Sequence, residues 1–176
     1  MTIETDNEMN IKELAQAIQK ALLERGEMMA TAESLTGGLV ASHIVDIPGS
    51  SAVLAGGIVA YQNEVKEQLL GVPYLVLEEK GAVSAETVKA MAEGARKKFG
   101  CQWAIATSGI AGPGGAEPGK PVGTVWMAVA NSLQNDAFCK IFAGNRNQVR
   151  EKTVYSVLSK LLFLLNNQKS TCTSEH

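Results

Sequence analysis

Apolar residues recur at the spacing of an amphipathic helix in three parts of the chain. The first pattern covers residues 11–22, and Gly26 follows it as a stop signal. The second covers residues 84–99, with Ser84 as its N-cap, and the third covers residues 145–165. Each pattern has one apolar and one polar face, which predicts three long helices that pack against a core.

Shorter apolar runs alternate with these helices and predict five strands. Two further short helices are predicted. One is opened by Thr36-Gly37-Gly38 and ends before Pro48, and the other is capped by Asn63 and ends at Gly71. The Gly56-Gly57 pair inside the second run indicates a bulge or a close approach of backbone. The predicted strands cover residues 28–32, 52–61, 101–107, 122–130 and 137–143.

Helices and strands alternate along most of the chain, and the last two strands then follow each other directly, as in a hairpin. This order predicts a single α/β domain with three layers, α/β/α, and a mixed β-sheet. The domain is expected to cover residues 11–165. A polar lead-in at residues 1–10 precedes it, and a mobile polar tail at residues 166–176 follows it.

The composition fits one globular domain of 176 residues, of which 45% are hydrophobic. The net charge of −2 provides no basic face for nucleic acid. No apolar run approaches the roughly 20 residues of a membrane span, and the polar, acidic first residues are unlike a signal peptide. Three separate cysteines and two histidines form neither a disulfide framework nor the usual metal-ligand clusters. We therefore expect a protein of the reducing cytoplasm without a metal site.

The stretch GGAEPGKP at residues 114–121 matches a phosphate-binding P-loop in its glycine and lysine spacing. Pro121 stands where a P-loop needs a hydroxyl for magnesium, and a strand rather than a helix is predicted to follow. A nucleoside triphosphate site is therefore disfavoured. Two alternatives stay open: a surface turn, or a ligand-binding loop whose glycines leave the backbone N–H groups of residues 108–115 accessible.

Ser34 lies between the first predicted strand and a glycine-opened helix, where α/β folds hold their ligands. The free N–H groups of such a turn can stabilise an oxyanion, which suggests that Ser34 is a nucleophile. The alternative is that Ser34 or Thr36 caps the helix. His43 lies inside that helix, where a histidine of the core or the surface is expected rather than a base.

Tyr61 and Lys66 are the remaining candidates for a base that activates Ser34. They follow the second predicted strand, and they reach Ser34 if that strand is parallel to the first and near it. A lysine serves as base only when desolvation or a neighbouring cation lowers its pKa. The alternative is that Lys66 is a solvated helix residue and Tyr61 an aromatic residue at a strand end.

Arg146 and Arg150 fall in the first turns of the last predicted helix. The N-terminus of a helix carries partial positive charge, so arginines there indicate a bound anion such as a phosphate or a carboxylate. The alternative is a surface ion pair with Glu151 or Asp136.

Several motifs in a fixed order give the chain a specific resemblance. It resembles the CinA C-terminal domain family of competence/damage-inducible proteins, which includes stand-alone nicotinamide-nucleotide amidases. The resemblance covers residues 11–165. Its motifs are TAESLTGG at residues 31–38, AYQNEVK at 60–66, GAVS at 81–84, SGIAGPGG at 108–115, KPVGTVW at 120–126 and GNR at 144–146.

The resemblance implies hydrolysis of the carboxamide of nicotinamide mononucleotide to nicotinic acid mononucleotide and ammonia, in pyridine-nucleotide salvage and without a cofactor. It implies Ser34 as the nucleophile, with Tyr61 and Lys66 as its catalytic companions. The N–H groups around Thr36 and Gly37 are expected to hold the oxyanion. The implied ligand loop and phosphate contact comprise Ser108, Gly109, Ile110, Ala111, Gly112 and Arg146.

Two positions depart from the family pattern. Leu35 stands where members often have cysteine, and Asn145 stands where they often have aspartate. Both departures leave the implied catalytic residues intact, so we expect them to affect affinity more than chemistry. The family name also implies an alternative, a non-catalytic nucleotide-binding or regulatory module linked to competence or DNA damage. The modest chain size and the apolar final helix favour a homodimer or a higher homo-oligomer.

Overall fold

A computed structural model describes residues 9–168; residues 1–8 of the predicted lead-in and 169–176 of the predicted tail lie outside the described residues. Within the described part, helices and strands alternate as the sequence predicts. The elements are α1 Ile11–Arg25, β1 Met29–Glu33, α2 Leu39–Val45, a 3-10 turn Ser50–Ala52, β2 Leu54–Val59, α3 Asn63–Leu70, α4 Tyr74–Lys80, α5 Ala85–Phe99, β3 Trp103–Gly109, β4 Thr124–Ala130, β5 Asn135–Ile141 and α6 Arg146–Asn167.

The strands form one mixed sheet in the order β2-β1-β3-β4-β5. Strand β1 is parallel to both β2 and β3, whereas β4 is antiparallel to β3 and to β5. The mixed sheet and the hairpin of the last two strands are thus confirmed. Every residue of β1 is buried, because this strand lies inside the sheet and helices cover both of its faces.

Helices on both faces complete the three predicted layers. One face of the sheet carries large side chains such as Met29, Ile105 and Met127, and it packs against α1, α2 and α6. The other face carries mainly alanines, and α3, α4 and α5 pack against it. Small side chains let a helix approach a sheet closely. Helix α3, which starts at Asn63 soon after β2 ends at Val59, begins near the edge where β1 and β2 end.

The long helices begin at the capping residues that the sequence predicts. Ser84 accepts a hydrogen bond from the Thr87 N–H at the start of α5. Asn145 and Gln148 form a reciprocal capping box at the start of α6. The pattern underestimates the length of α6, which runs through residues 166 and 167.

Three local predictions need correction. Helix α2 begins at Leu39 rather than at Thr36, because Gly38 in a left-handed conformation is its N-cap. Asn63 is the first residue of α3 and not its cap. Helix α4 has no predicted counterpart, since its apolar segment, residues 75–77, is too short to display a helical period.

The Gly56-Gly57 pair marks a close approach of backbone, as predicted. The pairing of β1 with β2 is irregular next to Gly56. A Cβ on Gly56 would overlap the ring of Phe99, and a Cβ on Gly57 would lie 2.5 Å from Thr31 Oγ1. Strand β2 can therefore lie against α5 and β1 only with glycine at both positions.

The P-loop-like stretch folds as a tight turn. The backbone groups of Glu117 and Lys120 bond each other, with N–H to oxygen distances of 3.0 and 2.8 Å. Lys120 Nζ donates to the carbonyl oxygen of Lys80, the last residue of α4, at 3.3 Å. A strand, β4, follows this stretch, as predicted, and not the helix that a P-loop requires. Lys120 instead caps the C-terminus of α4.

Candidate active site

The parallel pairing of β1 with β2 brings the Ser34 turn and the start of α3 to one edge of the sheet. Ser34 follows the last residue of β1, and its N–H donates to the carbonyl oxygen of Thr107 on β3 at 2.9 Å. Glu33 and Val59 are paired at the ends of β1 and β2. The condition under which Lys66 reaches Ser34 is therefore met.

Lys66 points from α3 into this edge and is only 1% exposed. Its Nζ lies 3.3 Å from Ser34 Oγ and 2.9 Å from the carbonyl oxygens of Ala60 and Tyr61. All three partners are neutral oxygens. Burial disfavours the ammonium form and lowers the pKa of Lys66 to about 8. The alternative of a solvated helix lysine is wrong.

Glu33 fixes the turn that carries Ser34, although the sequence did not single it out. Its buried carboxylate accepts the N–H groups of Gly38 and Val40 at 3.0 Å and of Ala41 at 2.9 Å. A buried negative charge at the N-terminus of α2 is compensated by these donors and by the helix dipole. The signal was weak because Glu33 stands five to eight residues before the groups it binds.

The hydroxyl groups of Thr36 and Ser108 are engaged inside the protein. Thr36 Oγ1 lies 2.7 Å from Thr107 Oγ1, and Ser108 Oγ donates to the carbonyl oxygen of Ala82 at 2.7 Å. The N-cap of α2 is Gly38, so the alternative in which Ser34 or Thr36 caps this helix is wrong. Toward a ligand, Thr36 and Ser108 can offer backbone groups rather than these hydroxyls.

The backbone of the Ser34 turn leaves two N–H groups free. The Gly37 N–H donates to the Ser34 carbonyl oxygen at 3.1 Å. Within residues 9–168, the N–H groups of Leu35 and Thr36 make no hydrogen bond. Of the groups around Thr36 and Gly37, the one at Gly37 is therefore already engaged.

Arg146 bridges Tyr61 and the glycine-rich loop. Its Nη1 donates to the carbonyl oxygen of Gly112, and its Nη2 donates to the hydroxyl of Tyr61, both at 2.9 Å. Tyr61 is 58% exposed, and the Lys66 amine bonds its backbone carbonyl rather than its ring. The structure thus associates the tyrosine side chain with Arg146.

Arg150 contacts the backbone of the Ser34 turn. Its Nε donates to the carbonyl oxygen of Leu35 and its Nη2 to that of Thr36, both at 3.0 Å. The predicted ion-pair alternative is wrong for both acidic residues. Asp136 pairs with Lys160 at 3.2 Å, and Glu151 lies 3.5 Å from His43.

A cleft of about 240 Å³ lies beside this turn. Ser34, which is 8% exposed, adjoins it through Leu35. Gly109 allows the loop to lie against β4, since a Cβ there would be 2.7 Å from the Thr124 carbonyl oxygen. The cleft brings together the loop, Tyr61 and Arg146, whereas Thr36, Gly37 and Ser108 are not among its lining residues. Its lining residues are Leu35, Tyr61, Gly109, Ile110, Ala111, Gly112, Gly114, Gly115 and Arg146.

Comparisons with known proteins identify the family of this chain. The sequence profile described as the CinA C-terminal domain matches residues 11–165. The chain belongs to the CinA C-terminal domain family. The CinA-like protein of Synechococcus sp. (strain CC9902) is 47% identical over 150 residues, which cover 84% of this chain and 36% of that protein. The CinA-like protein of Geobacter sulfurreducens is 48% identical over 145 residues, 82% of this chain and 35% of that protein. The chain thus spans about a third of the length of these curated relatives.

Solved structures of CinA superfamily proteins share the whole architecture. The competence damage-inducible protein A (ComA) of Klebsiella pneumoniae superimposes with a TM-score of 0.89 at 35% identity, covering 92% of this chain and 100% of that one. The competence/damage inducible protein CihA of Agrobacterium tumefaciens gives a TM-score of 0.86 at 38% identity, covering 95% and 100%. These matches confirm the α/β fold class.

Residues 9–168 contain neither a membrane-spanning helix nor a metal-binding cluster of side chains. In this part of the chain, no helix has the length and apolar character needed to cross a membrane. In the same residues, no group of three or more histidine, cysteine or acidic side chains is arranged to hold a metal ion. Among the described residues, the cleft is instead lined by Leu35 of the serine turn, by Tyr61 and by Arg146, and the buried Lys66 contacts Ser34 beside it.

Proposed function

We propose that this chain is a serine amidohydrolase that converts nicotinamide mononucleotide to nicotinic acid mononucleotide and ammonia, in pyridine-nucleotide salvage in the cytoplasm. The observation that carries the proposal is the contact of 3.3 Å between the buried Lys66 amine and Ser34 Oγ. The resemblance to nicotinamide-nucleotide amidases supplies the substrate, and the cleft beside the pair supplies the room for it.

The hydrogen bonds of Lys66 suit a neutral amine that serves as base. A neutral amine has two N–H donors and one lone pair. The carbonyl oxygens of Ala60 and Tyr61 can only accept, and each lies 2.9 Å from Nζ, so they take the two donors. The lone pair is then left for the hydroxyl proton of Ser34, which makes Lys66 the general base.

Acylation requires one proton to be moved twice. Ser34 Oγ attacks the carboxamide carbon while its proton passes to Lys66 Nζ, and the carbonyl oxygen becomes an oxyanion. The N–H groups of the Ser34 turn stabilise that charge. The tetrahedral intermediate collapses as the Lys66 ammonium protonates the amide nitrogen, which leaves as ammonia. Water activated by Lys66 then hydrolyses the ester, and Ser34 regains its proton.

The far side of the cleft fits the ribose phosphate. Arg146 carries a guanidinium that here bonds two neutral oxygens, Gly112 O and Tyr61 Oη. A phosphate is a stronger acceptor than either of them. The glycines of residues 109–115 add backbone N–H groups without side chains in the way. In this arrangement Tyr61 orients Arg146 and lines the site rather than accepting the Ser34 proton.

The proposal is tested by measuring ammonia release from nicotinamide mononucleotide. Nicotinamide, its riboside and the dinucleotide are tested separately as controls. We expect turnover of the mononucleotide by the wild-type chain and none by a folded Ser34→Ala variant. Ammonia release by Ser34→Ala at the wild-type rate contradicts the proposal. Binding without turnover by the wild-type chain would favour the non-catalytic regulatory module instead. The homo-oligomer stays a prediction, for which sedimentation is the measurement.

A further inference from the structure

Arg150 lies outside the cleft, yet it makes two hydrogen bonds to the turn that carries the nucleophile. Both bonds go to backbone carbonyl oxygens, those of Leu35 and Thr36, at 3.0 Å. The contact joins residues 115 positions apart and links α6 to the Ser34 turn. A guanidinium fixed on two consecutive peptide groups controls their orientation, because its two donors have a rigid geometry.

The orientation of a carbonyl decides where the N–H of the same peptide points. In a trans peptide the C=O and the N–H point in opposite directions. Arg150 holds the Leu35 carbonyl oxygen toward α6, so the Thr36 N–H points away from α6. The Ser34 carbonyl oxygen is likewise held by the Gly37 N–H at 3.1 Å, which directs the Leu35 N–H.

The two N–H groups directed in this way are the two that have no acceptor in the described part of the turn. The other donors are occupied, since the Gly37 N–H bonds Ser34 and the Gly38 N–H bonds Glu33. Gly37 has a left-handed backbone, with a φ of 59°, and Arg150 Nη2 lies 3.8 Å from the position that a Cβ would take there, an ordinary van der Waals distance.

We infer that Arg150 is a positioning residue which forms the oxyanion site from the N–H groups of Leu35 and Thr36. This inference rests on the proposed role of Ser34. The charge of Arg150 also polarises the Leu35–Thr36 peptide and strengthens the Thr36 N–H as a donor. On this view, two arginines four residues apart on one helix have different roles: Arg146 binds the substrate, and Arg150 contributes to stabilising the transition state.

The test compares Arg150→Met with Lys152→Met. Lys152 lies on the same helix and also bonds a backbone carbonyl oxygen, that of Ala143, but away from the Ser34 turn. We expect Arg150→Met to lower kcat for nicotinamide mononucleotide at least tenfold, with KM changed less than twofold. The midpoint of the pH–rate profile stays in place, because the Lys66 contacts are untouched. Lys152→Met behaves as the wild type.

A second readout needs no amide substrate. A fluorophosphonate probe forms a bond from Ser34 Oγ to phosphorus as fluoride leaves and the Ser34 proton passes to Lys66, and the polar phosphoryl oxygen occupies the oxyanion site. Mass spectrometry of the wild type and of Arg150→Met gives the labelling rates, which we expect to differ at least tenfold. If the wild type is labelled but releases no ammonia from the mononucleotide, the proposed function fails, and the labelling comparison still decides the role of Arg150.

Wild-type kcat and labelling in folded Arg150→Met overturn the inference. So does a loss confined to KM, a shifted pH midpoint, or an unlabelled wild type. If Arg150→Met does not fold, Arg150→Lys takes its place, since lysine keeps the charge but not the fork of donors. We then expect at least a threefold loss of kcat and of labelling rate. Wild-type rates in Arg150→Lys, or failure of both variants to fold, overturn the inference.

Discussion

In the proposed mechanism, the reactivity of the site depends on the fraction of Lys66 that is neutral. Only the free amine accepts the Ser34 proton, and burial lowers the pKa of Lys66 to about 8. The amine is charged below that pH and neutral above it. We therefore expect kcat/KM to rise with pH through about 8 and then to level off, as measured by ammonia release at nicotinamide mononucleotide concentrations well below KM.

Lys66→Met keeps an apolar stem of similar length but removes the base. The loss of a general base typically costs about 10²- to 10⁴-fold in rate, and we expect a decrease of this order with an unchanged far-ultraviolet circular dichroism spectrum. Glu64→Gln, at an exposed position in the first turn of the same helix, is the control and retains the pH profile. An active Lys66→Met variant with the wild-type profile would exclude Lys66 as the base.

Arg146 is predicted to act on binding and to depend on the substrate phosphate. Arg146→Met removes the guanidinium that bridges Gly112 and Tyr61. Because charge-assisted hydrogen bonds contribute about 1.5–3 kcal/mol, KM for the mononucleotide should rise roughly tenfold or more. The riboside lacks the phosphate, so its kcat/KM should stay the same. Equal losses with both substrates would show that Arg146 does not contact the phosphate.

At the scale of elements, helix α2 holds the Ser34 turn through Glu33. Glu33→Gln keeps the shape of the side chain but removes the charge and one acceptor oxygen, so one of three backbone donors is weakened. An unsatisfied buried polar group costs about 1–3 kcal/mol. We expect a decrease of this size in the free energy of unfolding, measured by urea denaturation, together with a lower kcat.

The matched control for Glu33 is another N-terminal cap far from the site. Asn10 caps α1 through the Glu13 N–H at 3.0 Å. Asn10→Ala should cost about 1 kcal/mol of stability and leave kcat unchanged. If Glu33→Gln lowers stability as Asn10→Ala does but keeps full activity, Glu33 is a cap and has no part in orienting the nucleophile.

Local signals predicted much of the fold. The caps at Ser84 and Asn145 mark the starts of α5 and α6, because a capping side chain bonds an N–H only three residues ahead. The observed strand ends differ from the predicted ones by at most two residues, because apolar runs do not stop where the sheet pairing stops and because polar residues such as Asn135 and Asp136 of β5 also pair with β4. Helix α4 was missed because its apolar segment, residues 75–77, is too short to display a helical period.

Residues of the candidate site could be predicted only where they belong to a recognisable sequence motif. Ser34, Lys66 and Arg146 come from short, ordered motifs, and the structure brings Ser34 and Lys66 into contact. Arg150 and the Thr36 hydroxyl, in contrast, make contacts that are distant in sequence. Arg150 contacts Leu35 across 115 positions, and Thr36 contacts Thr107 across 71 positions. Such contacts are fixed by the packing of α6 and β3 around the turn, and no periodicity within one element reports them.

At the scale of the whole molecule, the Ser34–Lys66 pair joins two layers of the fold. Ser34 belongs to the sheet edge, and Lys66 belongs to α3 in the layer that covers the alanine face. The distance between them is therefore set by how α3 sits against its neighbours. Gly94 of α5 is the point of closest approach, since a Cβ there would overlap the carbonyl oxygen of Leu70 at the end of α3.

Gly94→Ala is expected to displace α3 and so to separate Lys66 from Ser34. Overpacking of this kind typically costs about 1–3 kcal/mol, so the unfolding midpoint in urea should fall. A displaced lysine also accepts the Ser34 proton less well, and kcat should decrease at temperatures where the variant is fully folded. Lys98→Ala, at an exposed position on the same helix, is the control for an alanine substitution away from α3 and should leave both quantities nearly unchanged.

The two effects of Gly94→Ala separate when activity is measured on the folded fraction alone. If the packing of α3 against α5 affects only the stability of the fold, kcat per folded molecule equals that of the wild type. If α3 sets the reacting distance, kcat per folded molecule falls, and the fluorophosphonate labelling rate of Ser34 falls with it, while KM stays near the wild-type value because the cleft residues lie on other segments. A variant with a lower unfolding midpoint, full kcat and full labelling would contradict the view that packing between α3 and α5 positions the base.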